Sequence, residues 1–269
     1  GLSLAGKIPF ATSFGSFNPS RNFDQIRNIA YSKLNVKIVG GHAGLVTGED
    51  GAFHQSLEDL SLMIALPNMR VLSPADARQA ELATLALAKT PGPGYLRLSR
   101  LAVSDLEFLL KALDNKTDES ANFALNQAQL LTKGQDITIV STGILTHEAI
   151  RATLKLQQLG IRVELINVIS LKPLDLDTII QSCQKTQALL VLSEEQLGSG
   201  FNAYLAQHLI TAVGLSMKKT IVTEFLAVDN SFGESGDAEQ LLEKYGLNSQ
   251  AILKKTLSLL KKKKNMLAN

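Results

Sequence analysis

Residues 137–169, with the sequence ITIVSTGILTHEAIRATLKLQQLGIRVELINVI, contain the pattern on which the fold prediction rests. Residues 137–143 are an apolar run typical of a buried strand, and a helix is predicted from there to Leu159. A second apolar run predicts a strand at 163–169. Strands that are continuous apolar runs, separated by helices, indicate a parallel sheet with helices on both faces.

The same alternation extends in both directions and forms two blocks. Toward the C-terminus, strands are predicted at 189–192 and 220–228, and helices at 174–185, 201–213, 238–245 and 249–263. Toward the N-terminus, strands are predicted at 8–14, 36–40, 70–72 and 95–98, and helices at 18–34, 56–66 and 75–89. Asn18 with Pro19, and Ser56, are the predicted starts of two of these helices. We therefore predict an α/β protein with two domains, each a largely parallel sheet covered by helices on both faces.

Between the two blocks the pattern weakens. Polar residues gather from 101 to 134, where only a short strand is predicted, at about 124–131. The predicted organisation is a first domain at 1–100, a linker at 101–134 and a second domain at 135–269. The first residue is glycine, and the opening GLSLAGKIPF resembles the middle of a domain, so we expect the first domain to be truncated at its N-terminus.

Composition excludes several classes of function. Hydrophobic residues make up 45% and charged residues 19%, a balance typical of soluble globular proteins, and the net charge is +2. Much of the basic excess is the run 261–264, which predicts a solvated tail rather than a nucleic-acid-binding face. No apolar stretch reaches membrane-spanning length and no signal peptide opens the chain, so a cytoplasmic location is predicted. Cys183, the one cysteine, is predicted to be a small buried hydrophobic residue.

The most unusual connection is residues 40–55, GGHAGLVTGEDGAFHQ, which follow a predicted strand. Glycines allow close approach of a ligand, and His42 and His54 can exchange protons near neutral pH. Asp50 can orient a histidine or a substrate hydroxyl. A structural loop with surface histidines is the alternative. A zinc site on these three residues is disfavoured by the spacing of the histidines, and the segment lacks the phosphate-binding P-loop pattern.

Three further candidates lie at the predicted carboxyl ends of strands, where open parallel sheets bind ligands. Phe14 and Phe17 lie at the C-terminal end of the first strand and could form an aromatic pocket for a flat ring, or simply pack in the core. Arg100 follows the last strand of the first block. It is either a solvated surface residue or a binding residue for phosphate.

Several stretches carry a resemblance to transketolases. In the first block these are GKIPF at 6–10, F-x-x-F at 14–17, RNFDQIRNIAYSKLNVKIVGGHAG at 21–44, GEDGAFHQSLEDLSLMIALPNMRVLSPADA at 48–77 and YLRLSR at 95–100. Together they resemble the transketolase pyrimidine-binding domain in order and spacing. The second block, with DITIVSTG, NVISLKPLD, LSEE and VDNSFGESGDAEQLLEKYGL, resembles the transketolase C-terminal domain.

The resemblance implies a function and a set of roles. The chain would be the C-terminal subunit of a split transketolase, which transfers a two-carbon ketol unit from a ketose phosphate to an aldose phosphate with thiamine diphosphate and Mg²⁺. Phe14 and Phe17 would line the aminopyrimidine pocket. His42, Asp50 and His54 would contact the sugar and act in catalysis, and Arg100 would hold the sugar phosphate.

The resemblance also implies what other chains contribute. The family's activating glutamate lies upstream of the first residue, and the GDG…N motif for metal and diphosphate is not in this sequence. No metal site is therefore expected in this chain. We expect an N-terminal partner subunit to hold the diphosphate and the metal, and the chain to self-associate at least to a dimer. Alone it is expected neither to bind thiamine diphosphate nor to turn over.

Other assignments stay open from the sequence. The chain could serve a 1-deoxyxylulose-5-phosphate synthase-like enzyme or be a 2-oxoacid dehydrogenase beta chain, or it could be a non-catalytic assembly subunit. Phe53, where many relatives have Ser or Thr, leaves the substrate undefined. Gln196 and the following GSGF replace a His and a Gly-rich turn that are common in the family's second domain.

Overall fold

The computed structural model describes residues 1–114, 123–216 and 220–268, and these form two five-stranded sheets. The strands are β1 (Phe10–Phe14), β2 (Lys37–Gly41), β3 (Arg70–Leu72), β4 (Gly94–Arg97), β5 (Gln129–Thr132), β6 (Ile137–Ser141), β7 (Val163–Asn167), β8 (Ser170–Lys172), β9 (Ala188–Gln196) and β10 (Val222–Val228). The first sheet has the order β1-β2-β4-β3-β8 and the second the order β10-β9-β6-β7-β5. All neighbouring strands are parallel except the pairs β3–β8 and β5–β7. The predicted α/β class with two largely parallel sheets is confirmed.

Helices connect these strands and cover the sheets. They are α1 (Phe23–Tyr31), α2 (Asp59–Ala65), α3 (Ala77–Lys89), α4 (Leu106–Leu110), α5 (Leu145–Gln158), α6 (Leu176–Thr186), α7 (Gly200–Ser216), α8 (Ala238–Lys244) and α9 (Ser249–Ala268). Alternate residues of β6 show how the second sheet is covered. Ile139 packs in a core with residues of α5 and α9, whereas Val140 packs with residues of α6 and α7, including buried Cys183.

The two sheets are joined by a strand that the sequence analysis did not predict. The predicted strand 163–169 ends at Asn167, and β8 then pairs with β3 of the first sheet, Leu72 opposite Ser170. Lys172 on β8 donates hydrogen bonds to the carbonyls of Ile64 (2.6 Å) and Leu66 (2.7 Å). The C-terminal half of the chain therefore completes the sheet built by the N-terminal half.

The predicted helix start at Asn18 and Pro19 is wrong. Pro19 lies inside a π-helix, Ser16–Arg21, and α1 begins only at Phe23. The Asn18 side chain does not cap a helix. It donates instead to the carbonyls of Ala11 (3.2 Å) and Val39 (3.3 Å), across β1 and β2. A tertiary contact thus replaces the local capping contact that the sequence favours.

Ser56 is likewise not a helix cap, because α2 begins at Asp59 and its N-cap residue is Glu58. Two further regions contain more regular structure than predicted. The loop 40–55 includes a 3₁₀-helix, Leu45–Asp50, which is kinked at Gly48. The predicted linker 101–134 includes α4 and β5, and Leu106 and Leu110 of α4 are buried. Residues 115–122 of that linker lie outside the described part of the chain.

The lysine run 261–264 was predicted to be a solvated tail, and three of its four residues are exposed, but the run is helical and partly anchored. It lies within α9, where Lys263 donates to the carbonyls of Asp136 (2.9 Å) and Thr186 (2.6 Å). Lys262 and Lys255 both pair with Glu224 on β10. Lys262 and Lys263 of the run, together with Lys255, therefore fasten α9 to the second domain. In the described residues no helix combines the length and apolar character needed to cross a membrane.

Candidate functional site

The candidate site forms where the carboxyl ends of β1 and β2 meet. Phe14 is paired with Gly41 in the parallel register, so His42 follows at the same edge of the sheet. The rings of Phe14 and His42 stack with centroids 4.2 Å apart and 6° between their planes. His42 has a left-handed backbone (φ 52°), and the Thr47 hydroxyl donates to its carbonyl at 2.6 Å. Strand pairing and this turn together place the imidazole against the phenyl ring.

The π-helix adds two more side chains to this stack. It places Phe17 parallel to Phe14, with centroids 5.4 Å apart and 6° between the planes. The Arg21 guanidinium lies 4.6 Å from the Phe17 centroid, within the range of a cation–π interaction. Sequence analysis predicted both phenylalanines and missed Arg21, because a regular helix was expected there.

His54 completes the aromatic cluster from the other end of the loop. Its ring meets Phe14 and Phe17 edge-on, at centroid distances of 5.7 and 5.5 Å. Its Nδ1 lies 3.0 Å from the Asp50 carbonyl. Because a carbonyl oxygen only accepts, this contact favours the tautomer with its proton on Nδ1, which leaves Nε2 as the proton acceptor.

Asp50 and Arg100 form a second, charged part of the site. The Arg100 guanidinium donates to the Thr47 carbonyl (2.9 Å) and lies 3.4 Å from the Asp50 carboxylate and 3.8 Å from that of Glu49. The Asp50 side chain therefore pairs with arginine, and only its backbone carbonyl meets a histidine. These ion pairs are substantially exposed, so they are weak enough for an incoming anion to displace.

Beneath the loop lies a buried ionic cluster that sequence analysis missed. Arg97 of β4 contacts Asp59 of α2 at 3.0 Å, and the Tyr95 hydroxyl donates to the same carboxylate at 2.6 Å. Arg97 also donates to the Glu194 backbone carbonyl (3.0 Å) and lies 3.5 Å from the Glu194 carboxylate. Burial alone would lower the pKa of Arg97, but the carboxylates of Asp59 and Glu194 outweigh burial and raise that pKa.

Glu194 reaches this cluster from β9 of the second sheet. Its Oε1 accepts the backbone N–H of Val46 at 2.8 Å, inside the histidine-bearing loop. Burial raises the Glu194 pKa to about 7, although Arg97 and the Val46 hydrogen bond oppose the shift. One guanidinium thus faces two buried carboxylates, Asp59 and Glu194, and it offsets only part of the effect of burial on the Glu194 pKa.

The neighbouring Glu195 points elsewhere. Its carboxylate accepts the backbone N–H groups of Phe201 (3.1 Å) and Asn202 (2.9 Å), at the start of α7. Burial raises its pKa to about 7 against these two hydrogen bonds. The two adjacent buried carboxylates thus accept hydrogen bonds from different elements: Glu194 from the histidine loop and Glu195 from α7.

A sequence signal for the cluster existed. Arg97 stands in the run YLRL, and Glu194 with Glu195 follows the apolar run ALLVL after one serine, Ser193. Charged residues are almost never fully buried unless they are paired, so charges inside buried strands indicate partners. The signal predicts that partners exist but does not say which they are.

This arrangement combines three chemical capacities. Phe14 and Phe17 offer aromatic surface, His42 and His54 offer proton transfer, and Arg100 offers a cation for an anionic group. Across residues 1–114, 123–216 and 220–268, no group of three or more His, Cys, Asp or Glu side chains is arranged to hold a metal ion. His42, Asp50 and His54 are thus not gathered as a zinc site.

Comparison with known families matches both halves of the chain. Residues 1–104 match the transketolase pyrimidine binding domain, and residues 126–252 match the transketolase C-terminal domain. A Methanocaldococcus jannaschii protein named as a transketolase C-terminal section is 36% identical over 97% of this chain and 78% of its own length. A 6-deoxy-6-sulfo-D-fructose transketolase subunit of Clostridium sp. (strain MSTE9) is 34% identical over 94% of this chain and 74% of its own length.

A solved structure agrees with these relatives. A split-gene transketolase, described as an inactive beta4 tetramer, superimposes with a TM-score of 0.81 at 35% identity, covering 96% of this chain and 78% of that one. Sequence, fold and the grouping of Phe14, Phe17, His42 and His54 at one sheet edge point the same way. The chain belongs to the transketolase family.

Proposed function

We propose that this chain is the C-terminal subunit of a split transketolase and transfers a two-carbon ketol unit from a ketose phosphate to an aldose phosphate. The observation that carries the proposal is the meeting of the aromatic cluster, both loop histidines and Arg100 around one loop. Relatives named as transketolase sections or subunits support a division of the enzyme between two chains. Within this chain we assign 1–100 to the pyrimidine-binding domain, 101–134 to a linker and 135–269 to the C-terminal domain.

Membership of the family implies dependence on thiamine diphosphate, and the aromatic part of the site fits that cofactor. Half-buried rings held face to face, Phe14 and Phe17, form the kind of surface on which a flat aminopyrimidine packs. When bound, the cofactor supplies the carbon nucleophile for ketose cleavage. We propose that the N-terminal subunit holds its diphosphate and Mg²⁺.

The histidines handle protons and hydroxyls of the sugar in this proposal. His54, with Nδ1–H directed at the Asp50 carbonyl, uses Nε2 to accept and return a proton at a sugar hydroxyl. His42, stacked on Phe14, lies at the boundary between the aromatic surface and the loop, where it can recognise a further hydroxyl.

Arg100 provides a test of substrate class. Arg100→Ala in the reconstituted enzyme is expected to raise the KM for a phosphorylated donor about tenfold to a hundredfold, since one charge-assisted contact is lost. The KM for an unphosphorylated ketose should change little. Arg70→Ala is a matched control, because Arg70 also donates to one backbone carbonyl, that of Pro91, but lies at the start of its strand in the same sheet. Equal losses on both donors would refute the assignment.

A second comparison is needed to identify the anionic group of the donor that Arg100 binds. One relative is named for 6-deoxy-6-sulfo-D-fructose, so a sulfonated donor should be tested beside the phosphorylated one. Comparing phosphorylated and sulfonated donors in wild type and Arg100→Ala will show which anion Arg100 prefers. A preference for sulfonate would keep the transketolase assignment and change the donor.

The proposal as a whole is tested by reconstitution. The full-length subunit, mixed with its N-terminal partner, thiamine diphosphate and Mg²⁺, is expected to transfer ketol units from xylulose 5-phosphate, and neither subunit alone should do so. The description of the related β4 tetramer as inactive supports this dependence on a partner. Sedimentation of the subunit alone should show at least a dimer. Absence of transfer with every ketose donor tried would favour a non-catalytic assembly subunit.

A further inference from the structure

The histidine loop is held from beneath by the other half of the chain. The contact is the hydrogen bond from the Val46 amide to Glu194 Oε1, which joins residues 148 positions apart. Gly44 makes this approach possible. Its backbone is left-handed (φ 93°), and a side-chain carbon at this position would overlap the Glu194 carboxylate. The loop is therefore shaped around this carboxylate.

A second contact fastens the end of the same loop. Gln55 Nε2 donates to the carbonyls of Leu45 (3.1 Å) and Gly48 (3.1 Å), and to that of Glu234 (2.8 Å) in the segment after β10. Gly48 also packs against the carbonyl of Gly236, where a side chain would approach to 3.2 Å. The segment that bears His42 and His54 is thus bounded by the second half of the chain at both ends.

Glu194 is itself held in place by contacts to its backbone and to its side chain. The residue is 2% exposed, and Arg97 contacts both its backbone carbonyl and its carboxylate. Arg97 is fixed in turn by Asp59 on α2. A buried carboxylate with these supports has little freedom, so the Val46 amide has a fixed partner.

We propose that Glu194 is a positioning residue of the ketol-transfer site, acting through Val46 to set the place of His42 and His54. This inference rests on the proposed function. It gives the C-terminal half of the chain a definite task in catalysis, although that half supplies none of the candidate catalytic groups. Displacement of a catalytic group by about 1 Å can reduce the rate about a hundredfold, so a fixed loop backbone matters to the rate.

The test uses three variants of the full-length subunit reconstituted with its partner. Glu194→Met removes the acceptor at similar length and is expected to lower kcat by at least about tenfold, with a smaller change in KM. Glu194→Gln keeps a carbonyl acceptor and should restore kcat to within about threefold of wild type. Glu195→Met is the matched control, because Glu195 is adjacent and also buried, but its carboxylate accepts from the start of α7 and not from the histidine loop. The kcat of this variant should stay within about twofold of wild type.

A second measurement does not depend on activity. Hydrogen exchange of residues 42–55 in the subunit alone should accelerate at least about tenfold in Glu194→Met and remain near wild type in Glu195→Met. If Glu194→Met does not fold, Gly44→Ala breaks the same contact from the loop side and should give the same acceleration. An inactive wild-type complex would refute the proposed function but would leave the positioning of the loop by Glu194 to be decided by the exchange measurement. Unchanged loop exchange, or equal kcat in Glu194→Met and Glu195→Met, would overturn the positioning role.

Discussion

Replacing His54 with alanine in the reconstituted enzyme is expected to lower kcat about a hundredfold to ten-thousandfold, the range for loss of a general acid–base group. The reason is the hydrogen bond that favours one tautomer of His54. With Nδ1–H directed at the Asp50 carbonyl, Nε2 is the atom left to accept and return a proton. His54→Gln should not recover the rate, because an amide occupies similar space but does not take up a proton near neutral pH.

The chain contains a closely matched control for this prediction. His208 on α7 also has its Nδ1 at a backbone carbonyl four residues earlier, that of Tyr204 (2.7 Å), and also packs on an aromatic ring, with centroids 4.3 Å apart. His208→Ala removes the same groups away from the candidate site and should leave kcat within about twofold. Equal rates for the two variants, or a change confined to KM for His54→Ala, would contradict the assignment of His54.

The sequence predicted the edge of the sheet at which the site lies, because the reasoning needed only strand order. Phe14 and His42 each follow a predicted strand, and carboxyl ends of parallel neighbours lie together. The pairing of β1 with β2 brings their rings to 4.2 Å, as that logic requires. The catalytic roles of these residues stay predictions, which the variants above address.

The contacts beneath the loop could not be predicted in the same way. The hydrogen bond from Val46 to Glu194 depends on how the two sheets pack, and no local pattern encodes that packing. The antiparallel strand β8 is a similar case, since three residues acquire their partner only when the halves of the chain meet. Asn18 shows the converse, because a good local capping signal is overruled by hydrogen bonds to β1 and β2.

Arg97→Met is expected to lower the free energy of unfolding by about 3–5 kcal/mol, because it leaves buried charge without its partner. Arg97 is 4% exposed, and its contacts include Asp59 and both the backbone and the side chain of Glu194. Methionine fills much of the space but compensates neither carboxylate. Arg97→Lys should recover little, since an ammonium group cannot reproduce the planar set of donors that serves Asp59 and the Glu194 carbonyl together.

Urea unfolding of the subunit measures this loss, with an expected fall in the midpoint of more than about 1 M. The control is Arg78→Met, because Arg78 pairs with Glu81 one helical turn away and both side chains are more than half exposed. That variant should change stability by less than about 1 kcal/mol. Adding Asp59→Asn to Arg97→Met removes the carboxylate that has lost its ion pair and should recover at least about 1 kcal/mol, because a buried amide costs less than a buried carboxylate. A loss for Arg97→Met no larger than that for Arg78→Met would mean that the cluster does not couple the two sheets.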